Sequence, residues 1–295
     1  MDASDLKVFE AVARLGGMNR AAAELNTVQS NVTARIRLLE EELSVPLFHR
    51  HSRGVDLTDA GRRLLPYALR VALLLDDARR AVKDDGTPKG ALTLGSLETT
   101  TALRLSPLLA AYAAAYPEVD LVLRTGTTTE LTKEVLEHRL EGAFVCGPVD
   151  HPDLEERTVF REELAIVTAR TVRSLDELAR RGDLKIVVFR AGCSYRHRLE
   201  AILDRRGIVA RRLLEFGTLD GILACVGAGI GVTMLPRAVV ARTVRDGLVA
   251  VHDVPPAEAD VETVFIRRRD AFVSSALTAF LDHARPAVLQ ADAAE

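Results

Sequence analysis

The chain contains no tryptophan, and aromatic residues make up only 4% of it. Its three cysteines, at positions 146, 193 and 225, include no CxxC pair, which argues against a disulfide framework or a zinc site and favours a reducing compartment. No apolar run reaches the length of a membrane span, and the first residues have the pattern of an amphipathic helix rather than a signal peptide. These absences predict a cytoplasmic protein with no membrane partner.

The motifs of common catalytic sites are also missing. The sequence has no GxSxG, no HExxH and no P-loop, and its seven histidines stand apart from any evident nucleophile or metal partner. Residues 227–231 are similar to a dinucleotide fingerprint, but they precede a predicted strand, whereas a phosphate loop follows a strand and opens a helix. We therefore predict a protein that is not an enzyme and that binds no cofactor and no metal.

What is present is a globular composition, with 48% hydrophobic residues, 27% charged residues and a formal net charge of −3. This charge is unlike that of a strongly basic nucleic-acid-binding protein. The charges are segregated, however. Residues 25–39 and 43–55 contain arginines and no acid, while acids gather at the start of the chain and at residues 40–42. A modest local cationic surface is therefore available.

The third predicted helix has an unusual polar face. Its buried stripe has apolar residues spaced by four, three and four positions, and its opposite arc has short polar side chains with one long cation. The stripe is Val32, Ile36, Leu39 and Leu43, and the arc is Ser30, Asn31, Thr33, Ala34 and Arg37. Such an arc suits a helix in a DNA major groove. An ordinary three-helix packing unit is the alternative.

The flanking segments favour a winged helix-turn-helix. A first helix has one apolar face, with Leu6 and Phe9, and ends at Gly16-Gly17. A second helix is rich in alanine, and Asn26 and Thr27 are predicted to form the turn and the cap of the third helix. Residues 49–57 predict a short hairpin with a cationic tip.

These residues carry a specific resemblance. The matching positions are Leu6, Phe9, Ala21, Ala22, Leu25, Gln29, Ile36, Leu39, Glu40, Leu43, Leu47, Phe48, Arg50, Arg53, Leu57, Thr58, Ala60 and Gly61. Residues 6–61 resemble the DNA-binding domain of LysR-type transcriptional regulators, a bacterial family, and the rest of the chain has the length and order that this family implies. The resemblance places the DNA contacts on Gln29, Ser30, Asn31, Thr33, Ala34, Arg50 and Arg53.

The chain departs from the family at two of these positions. The family usually has an arginine where this chain has Ala34, and often a proline where it has Ser30. The missing arginine removes a long donor, so base reading is expected to shift to Asn31, Arg35 or Arg37. Arg35 lies nearer the buried stripe, which favours a structural or phosphate-binding role for it.

A long helix follows the wing. Thr58 is predicted to cap it, and apolar residues from Leu57 to Val82 alternate spacings of four and three, which is the seam of a coiled coil about 25 residues long. The residues predicted to join two subunits are Leu64, Ala68, Val71, Leu75, Ala78 and Val82. Packing against its own domain is the alternative, but a single winged domain is too small to cover so long a stripe.

From Gly90 onward, strands and helices alternate, which predicts an α/β sheet with helices on both faces. The fold class is therefore α/β with an all-α-rich N-terminal domain. We assign residues 1–58 to the winged helix-turn-helix, 59–86 to the linker helix and 90–295 to an effector-binding domain. The resemblance implies that this last domain is periplasmic-binding-protein-like and two-lobed, with lobe I at about 90–161 and 266–295 and lobe II at about 162–265, and with crossovers near 160–162 and 264–267.

Polar residues cluster where predicted strands end and helices begin, which is where open α/β sheets bind ligands. The predicted effector contacts are Ser96, Glu98, Thr99, Thr100, Thr127, Thr128, Gly147, Cys193, Ser194, Arg196 and Thr218. Helix capping explains any one cluster by itself, but their shared position favours one cleft. Arg196 is suited to pair with an anionic effector.

These inferences predict a sequence-specific regulator of transcription whose operator binding responds to a small, anionic or hydroxylated effector. Its partners are a double-stranded operator dyad near a promoter, the effector and further copies of the chain as a homodimer; the resemblance implies a homotetramer, and RNA polymerase is a further candidate partner. An enzyme would turn the effector over, and a purely architectural DNA-binding protein would ignore it.

Overall fold

The structure, a computed structural model, describes residues 1–51, 54–179, 184–208 and 210–293, apart from the side chains of residues 179, 210, 211 and 285–293. The chain divides into two compact domains, residues 1–84 and 85–295. Within the described ranges, no helix combines the length and the apolar character that crossing a bilayer requires.

The N-terminal domain consists of three helices, a hairpin and a long fourth helix. Its elements are α1 (Ala3–Leu15), α2 (Met18–Glu24), α3 (Gln29–Leu43), β1 (Phe48–His51), β2 (Gly54–Leu57) and α4 (Asp59–Lys83). Asp2 and Asp5 form a capping box at the start of α1, and Gly16 ends this helix in the left-handed region at φ 63°. The strands β1 and β2 pair antiparallel, as expected for a wing.

The core of this domain lies where α1, α2 and α3 meet the wing and α4. Phe9 and Phe48 pack at its centre with ring centroids 5.3 Å apart and ring planes tilted by 46°, and Val32, Ile36 and Leu39 of α3 are buried as predicted. Leu43 was expected to continue this stripe, but its side chain is exposed because α3 ends there and the chain turns away at Ser44 with φ 55°.

The predicted cap of α3 is also corrected. Asn26 makes the turn with φ 50°, but the capping position belongs to Val28, not Thr27. A valine side chain has no polar atom to offer the free N–H groups of the first turn. Thr27 instead accepts a hydrogen bond from the Asn31 side chain at 2.9 Å.

The long helix α4 has two differently packed halves. Its first half packs against α1 and the base of the wing, where Gly61 lies so close to the Leu47 carbonyl that a Cβ would stand 2.3 Å from it. Ala68 is 0% exposed in this core. The second half carries its apolar residues outward, and Val82 is 88% exposed. Ala68 was predicted to contact a second subunit and does not reach the surface, because its own domain covers it.

The C-terminal domain alternates strands and helices. Its elements are β3 (Gly90–Ser96), α5 (Glu98–Thr100), a π-helical turn (Thr101–Leu105), α6 (Ser106–Ala115), β4 (Val119–Thr125), α7 (Thr128–Leu136), β5 (Gly142–Cys146), β6 (Leu154–Ala169), α8 (Leu175–Ala179), β7 (Leu184–Phe189), α9 (Ser194–Arg205), β8 (Ala210–Phe216), α10 (Leu219–Gly227), β9 (Thr233–Pro236), α11 (Arg237–Arg245), β10 (Val249–His252), α12 (Pro256–Ala259), β11 (Asp260–Arg268) and α13 (Ser275–Ala293).

The strand β6 joins the two parts of the sheet. The order is β10-β6-β11-β5-β3-β4, with β9 also paired to β6, and the parallel pair β7-β8 joins β9 through a bridge between Ile186 and Val232. We call the part built on β3, β4 and β5 lobe I, and the part built on β7 to β10 lobe II. The strand β6 pairs with β11 over its first ten residues and with β9 and β10 over its last six, so it belongs to both lobes.

Two strands extend across the expected boundaries between the lobes. The strand β6 begins at Leu154, before the expected boundary at residues 161–162, and its first half carries exposed charged residues such as Glu155 and Arg157. Strand β11 pairs with β5 from Thr263 to Ile266, so residues 263–265 lie in lobe I and not in lobe II as expected. The helices α11 and α12 were not predicted.

Candidate functional site

The outward face of α3 presents the short polar residues that the sequence predicted. Gln29, Ser30, Asn31, Ala34 and Arg37 are exposed. Thr33 is half-buried, and its hydroxyl oxygen is buried with no hydrogen-bond partner in the described part of the chain. The Asn31 amide donates a hydrogen bond to Thr27 on the exposed surface, so it can exchange this hydrogen bond for one with a base edge.

Arg35 lies on the flank of this helix, between Asn31 of the outward face and the buried stripe. Its guanidinium donates a hydrogen bond to the Ser4 hydroxyl and lies 3.6 Å from the Asp5 carboxylate. These contacts join α3 to the start of α1. They favour the structural alternative for Arg35 over base reading.

The half-buried carboxylate of Glu40 positions Arg50, the arginine of the wing. Glu40 accepts hydrogen bonds from the backbone N–H groups of Leu47 and Phe48, at 2.7 and 3.2 Å, through one oxygen. Its other oxygen accepts from Arg50 Nη2 at 3.1 Å. Glu40 therefore fixes both the entry to the wing and its cation. Arg53, also predicted to contact DNA, lies outside the described residues.

Val28 is an exposed residue beside the outward face of α3 that no motif in the sequence indicates. It stands at the N-terminal end of α3, beside Gln29, with 65% of its side chain exposed. A capping position favours Ser, Thr, Asp or Asn, so an exposed valine there departs from the local preference. Its apolar surface is of the kind that contacts a thymine methyl group.

A cleft lies between the two lobes of the C-terminal domain. It has an empty volume of about 550 Å³. Six predicted effector contacts line it: Glu98, Thr99, Thr127, Thr128, Cys193 and Ser194. Ten further lining residues were not predicted: Leu97, Thr125, Gly126, Glu130, Cys146, Phe189, Arg190, Tyr195, Phe216 and Gly217. The aromatic side chains among them were recognisable as apolar residues of their elements, but no pattern in the sequence shows that they face one space.

Five predicted contacts lie outside the lining of this cleft. They are Ser96, Thr100, Gly147, Arg196 and Thr218. Ser96 is fully buried and donates to the Leu97 carbonyl, and Thr100 is also buried. Gly147 packs against Val264, and Thr218 caps α10 by accepting from the Gly221 N–H at 3.3 Å. Capping, the alternative reading of these clusters, therefore accounts for Thr218.

Arg196 was predicted to pair with an anionic effector, but it does not line the cleft. Its guanidinium donates to Glu200 at 3.0 Å and to Glu215 at 2.8 Å, so two carboxylates already hold its charge. The hydrogen bonds that Arg196 donates to these carboxylates raise its pKa, and the one to Glu200 contributes most. The guanidinium that lines the cleft belongs instead to Arg190, at the end of β7.

Direct contacts close one side of the cleft. The Thr128 hydroxyl accepts hydrogen bonds from the Ser194 hydroxyl and from the Cys146 N–H, both at 3.3 Å, and the Thr129 N–H donates to the Gly192 carbonyl at 3.5 Å. Gly192 has φ +93°, and a Cβ there would stand 2.8 Å from the Thr127 hydroxyl. We call residues 127–129 and 192–194 the cleft latch. It requires a glycine at position 192.

The acidic and thiol groups of the cleft have distinct environments. Glu130 faces it but serves in a capping box, where it accepts from the Thr127 N–H at 2.9 Å. Burial raises the pKa of the Cys146 and Cys193 thiols, so both are protonated at neutral pH. Protonated thiols are poor nucleophiles, which disfavours a redox role for Cys193. Among the described residues, no three His, Cys, Asp or Glu side chains come together as a metal site.

Comparison with known proteins covers both domains. Residues 3–62 match the family model for the bacterial regulatory helix-turn-helix protein, lysR family, and residues 85–288 match that of the LysR substrate binding domain. The chain is 42% identical over 280 residues to the HTH-type transcriptional regulator GltR of Bacillus subtilis, covering 95% of both chains. It is 43% identical over 282 residues to the regulator YofA of the same organism, covering 96% of this chain and 98% of that one.

A solved structure with DNA is also similar. The crystal structure of full-length CbnR with its target DNA matches at a TM-score of 0.63 and 25% identity, over 97% of this chain and 100% of that chain. The similarity therefore extends through the winged domain, the long helix and the two-lobed domain together.

Proposed function

Because the chain belongs to the LysR family of DNA-binding transcriptional regulators, we propose which of its residues read DNA, join subunits and bind the effector. Like its relatives, the chain is a regulator of transcription with an effector-binding domain, and it is not an enzyme. The alternatives of an enzyme and of a purely architectural protein are set aside on that ground. The place of action proposed for it is the cytoplasm, where a bacterial promoter lies.

The DNA-reading surface proposed for this chain is the exposed face of α3 with the wing. Gln29, Ser30, Asn31 and Ala34 would face the base edges, while Arg37 and Arg50 would face phosphates. Thr33 lies at the edge of this face, and Arg53 is included as a DNA contact on the basis of the sequence alone. The exposure of α3 and the seating of Arg50 on Glu40 support this assignment.

The self-association proposed for this chain uses the outer half of α4. Leu75, Ala78 and Val82 lie exposed along one seam, and Leu64 and Val71 border it while packing partly on their own domain. A two-fold pair would present two α3 helices to a symmetric operator. Association of such dimers into a homotetramer is the state proposed on DNA. RNA polymerase is proposed as a partner of the regulator when it is bound beside a promoter.

The effector proposed for the cleft is a small molecule with an oxyanion. Arg190 carries the proposal, because it lines the cleft and has no ion-pair partner among the described residues. A guanidinium can bind a carboxylate or phosphate through two parallel hydrogen bonds. Threonine and serine hydroxyls on both lobes can hold the rest of such a molecule.

The experiment is a thermal-shift screen of small anions and carboxylates with the full chain, followed by operator binding with each hit. An effector should raise the Tm and change the affinity for an operator selected from random DNA. The Arg190→Gln variant should lose the Tm shift, whereas Arg206→Gln, an exposed arginine beyond the end of α9, should keep it. Equal shifts in wild type and Arg190→Gln would contradict the proposal.

A further inference from the structure

The cleft carries one available charge of each sign, on opposite lobes. Glu98 enters from lobe I at the start of α5, and Arg190 enters from lobe II at the end of β7. In the described part of the chain, neither side chain has an ion-pair partner, and the two do not pair with each other within 4.0 Å. A ligand can therefore reach both.

The other charged groups near the cleft are already engaged. Glu130 is held by the capping box of α7, where its carboxylate accepts from both the N–H and the hydroxyl of Thr127. Arg196 is held by Glu200 and Glu215. The charge that a ligand meets is therefore set by Glu98 and Arg190.

These two groups disfavour ligands of a single charge. A plain carboxylate drawn to Arg190 would be repelled by Glu98 at the other wall, and a plain amine drawn to Glu98 would be repelled by Arg190. Leu97, Phe189 and Phe216 supply apolar walls, which limit solvent screening and strengthen both the attraction and the repulsion. A molecule that presents both charges satisfies both walls at once.

Building on the effector site proposed above, we infer that the effector is a small zwitterion with a carboxylate and a protonated amine, as in an amino acid. Arg190 binds its carboxylate and Glu98 binds its ammonium group. The Thr99, Thr127 and Ser194 hydroxyls supply further hydrogen bonds, and the apolar walls receive the side chain. Because the two charges are held by different lobes, such a ligand bridges the cleft.

The test uses the full chain and a panel of the common amino acids, each with two analogues. One analogue lacks the carboxylate and is a simple amine, and the other lacks the amine and is a simple acid. Binding is measured by thermal shift and calorimetry. An amino acid should bind on the order of tenfold to a hundredfold more tightly than either analogue, because each analogue leaves either Arg190 or Glu98 without a partner in the complex.

Two variants test which side chain binds the carboxylate of the ligand and which binds its ammonium group. Glu98→Gln should lose the preference for the amino acid over the simple acid and keep the preference over the simple amine; Arg190→Gln should do the reverse. Glu118→Gln and Arg206→Gln change exposed charges outside the cleft lining and should bind as wild type does.

The outcomes separate this inference from the wider proposal. If a simple acid binds as tightly as any amino acid and still changes operator affinity, the zwitterion inference is overturned while the cleft remains the effector site. If amino acids bind but Glu98→Gln and Arg190→Gln leave all preferences unchanged, the assignment of these residues is overturned. If no amino acid binds but an anion from the thermal-shift screen shifts the Tm of wild type and not that of Arg190→Gln, the zwitterion inference alone is overturned. If no anion does so either, the proposed effector site fails as well.

Discussion

At the scale of the residue, one carboxylate holds the wing arginine that we propose to contact DNA. Glu40 holds its guanidinium at 3.1 Å while it anchors the wing backbone, so Arg50 has a fixed position before DNA arrives. Exposed ion pairs of this kind stabilise a fold by only about 0–1 kcal/mol, so the value of the contact lies in its geometry.

Replacing Arg50 tests its role as a phosphate contact. Arg50→Ala should weaken binding to all DNA sequences alike and reduce the slope of log affinity against log salt by about 1, since one fewer counterion is released. The measurement is operator binding by fluorescence anisotropy at several salt concentrations. Arg14→Ala is the control, because this arginine is held on α1 by Glu10 and Glu24. A salt slope that Arg50→Ala leaves unchanged would remove Arg50 from the interface.

Asn31 is expected to act differently because we propose that it faces a base edge. Asn31→Ala should relax the preference at one base pair of each half-site, at a cost of about 1–3 kcal/mol for the preferred sequence and little for random DNA. Selection of operators from a random DNA pool by wild type and variant gives the comparison. Arg37→Ala serves as the contrast and should lower all affinities together. An unchanged consensus would show that Asn31 does not read sequence.

At the scale of the element, the cleft latch couples two helix starts. Its closest approach occurs at Gly192, where a Cβ would clash with Thr127 and Thr129 of the facing lobe. Gly207 offers a matched control, because its φ of +67° is also left-handed but a Cβ there meets nothing within 4 Å. Alanine at either position costs backbone strain, and only at 192 does it also force the lobes apart.

This difference predicts a change in thiol accessibility. Gly192→Ala should expose Cys193 and Cys146, which line the cleft, and speed their alkylation relative to that of Cys225. Gly207→Ala should leave the ratio as in wild type. Mass spectrometry of alkylated peptides measures the rates. Equal ratios in both variants would show that the latch does not hold the cleft closed.

The outer half of α4 is the second element with a testable role. Val82→Lys places a charge on the exposed seam and should weaken self-association on the order of tenfold or more, because the ammonium group would be buried in an apolar interface. Asp76→Lys places the same charge on an exposed position off the seam and should leave association unchanged. Sedimentation equilibrium measures both. Equal association constants for the two variants would exclude this seam as the interface.

At the scale of the whole molecule, local patterns were predictable and long-range neighbours were not. The helices and the wing of the N-terminal domain follow from apolar spacing, caps and glycines that lie close together in the sequence. The burial of Ala68 within its own domain does not follow from the sequence, since the heptad pattern of α4 is the same whether a second subunit or its own domain covers the seam. The structure shows that the two halves of the helix differ.

The cleft shows the same limit. The hydroxyl clusters at the strand ends identified Thr99, Thr127, Thr128 and Ser194, because the ends of neighbouring strands share one edge of a sheet. Sequence favoured Arg196 over Arg190, since the former opens a helix beside Ser194. Only the fold brings Glu215 of strand β8 to Arg196 and so removes its charge from the cleft. The availability of a charge depends on neighbours that spacing along the chain does not reveal.

The most direct test of the account is a nuclease footprint of the full chain on an operator fragment in excess bulk genomic DNA. The account predicts two protected half-sites related by a dyad, with centres separated by whole helical turns of about 34 Å, because paired chains present two copies of α3. A fragment with no protection beyond that of the competitor, or with a single protected half-site that does not depend on self-association, would contradict it.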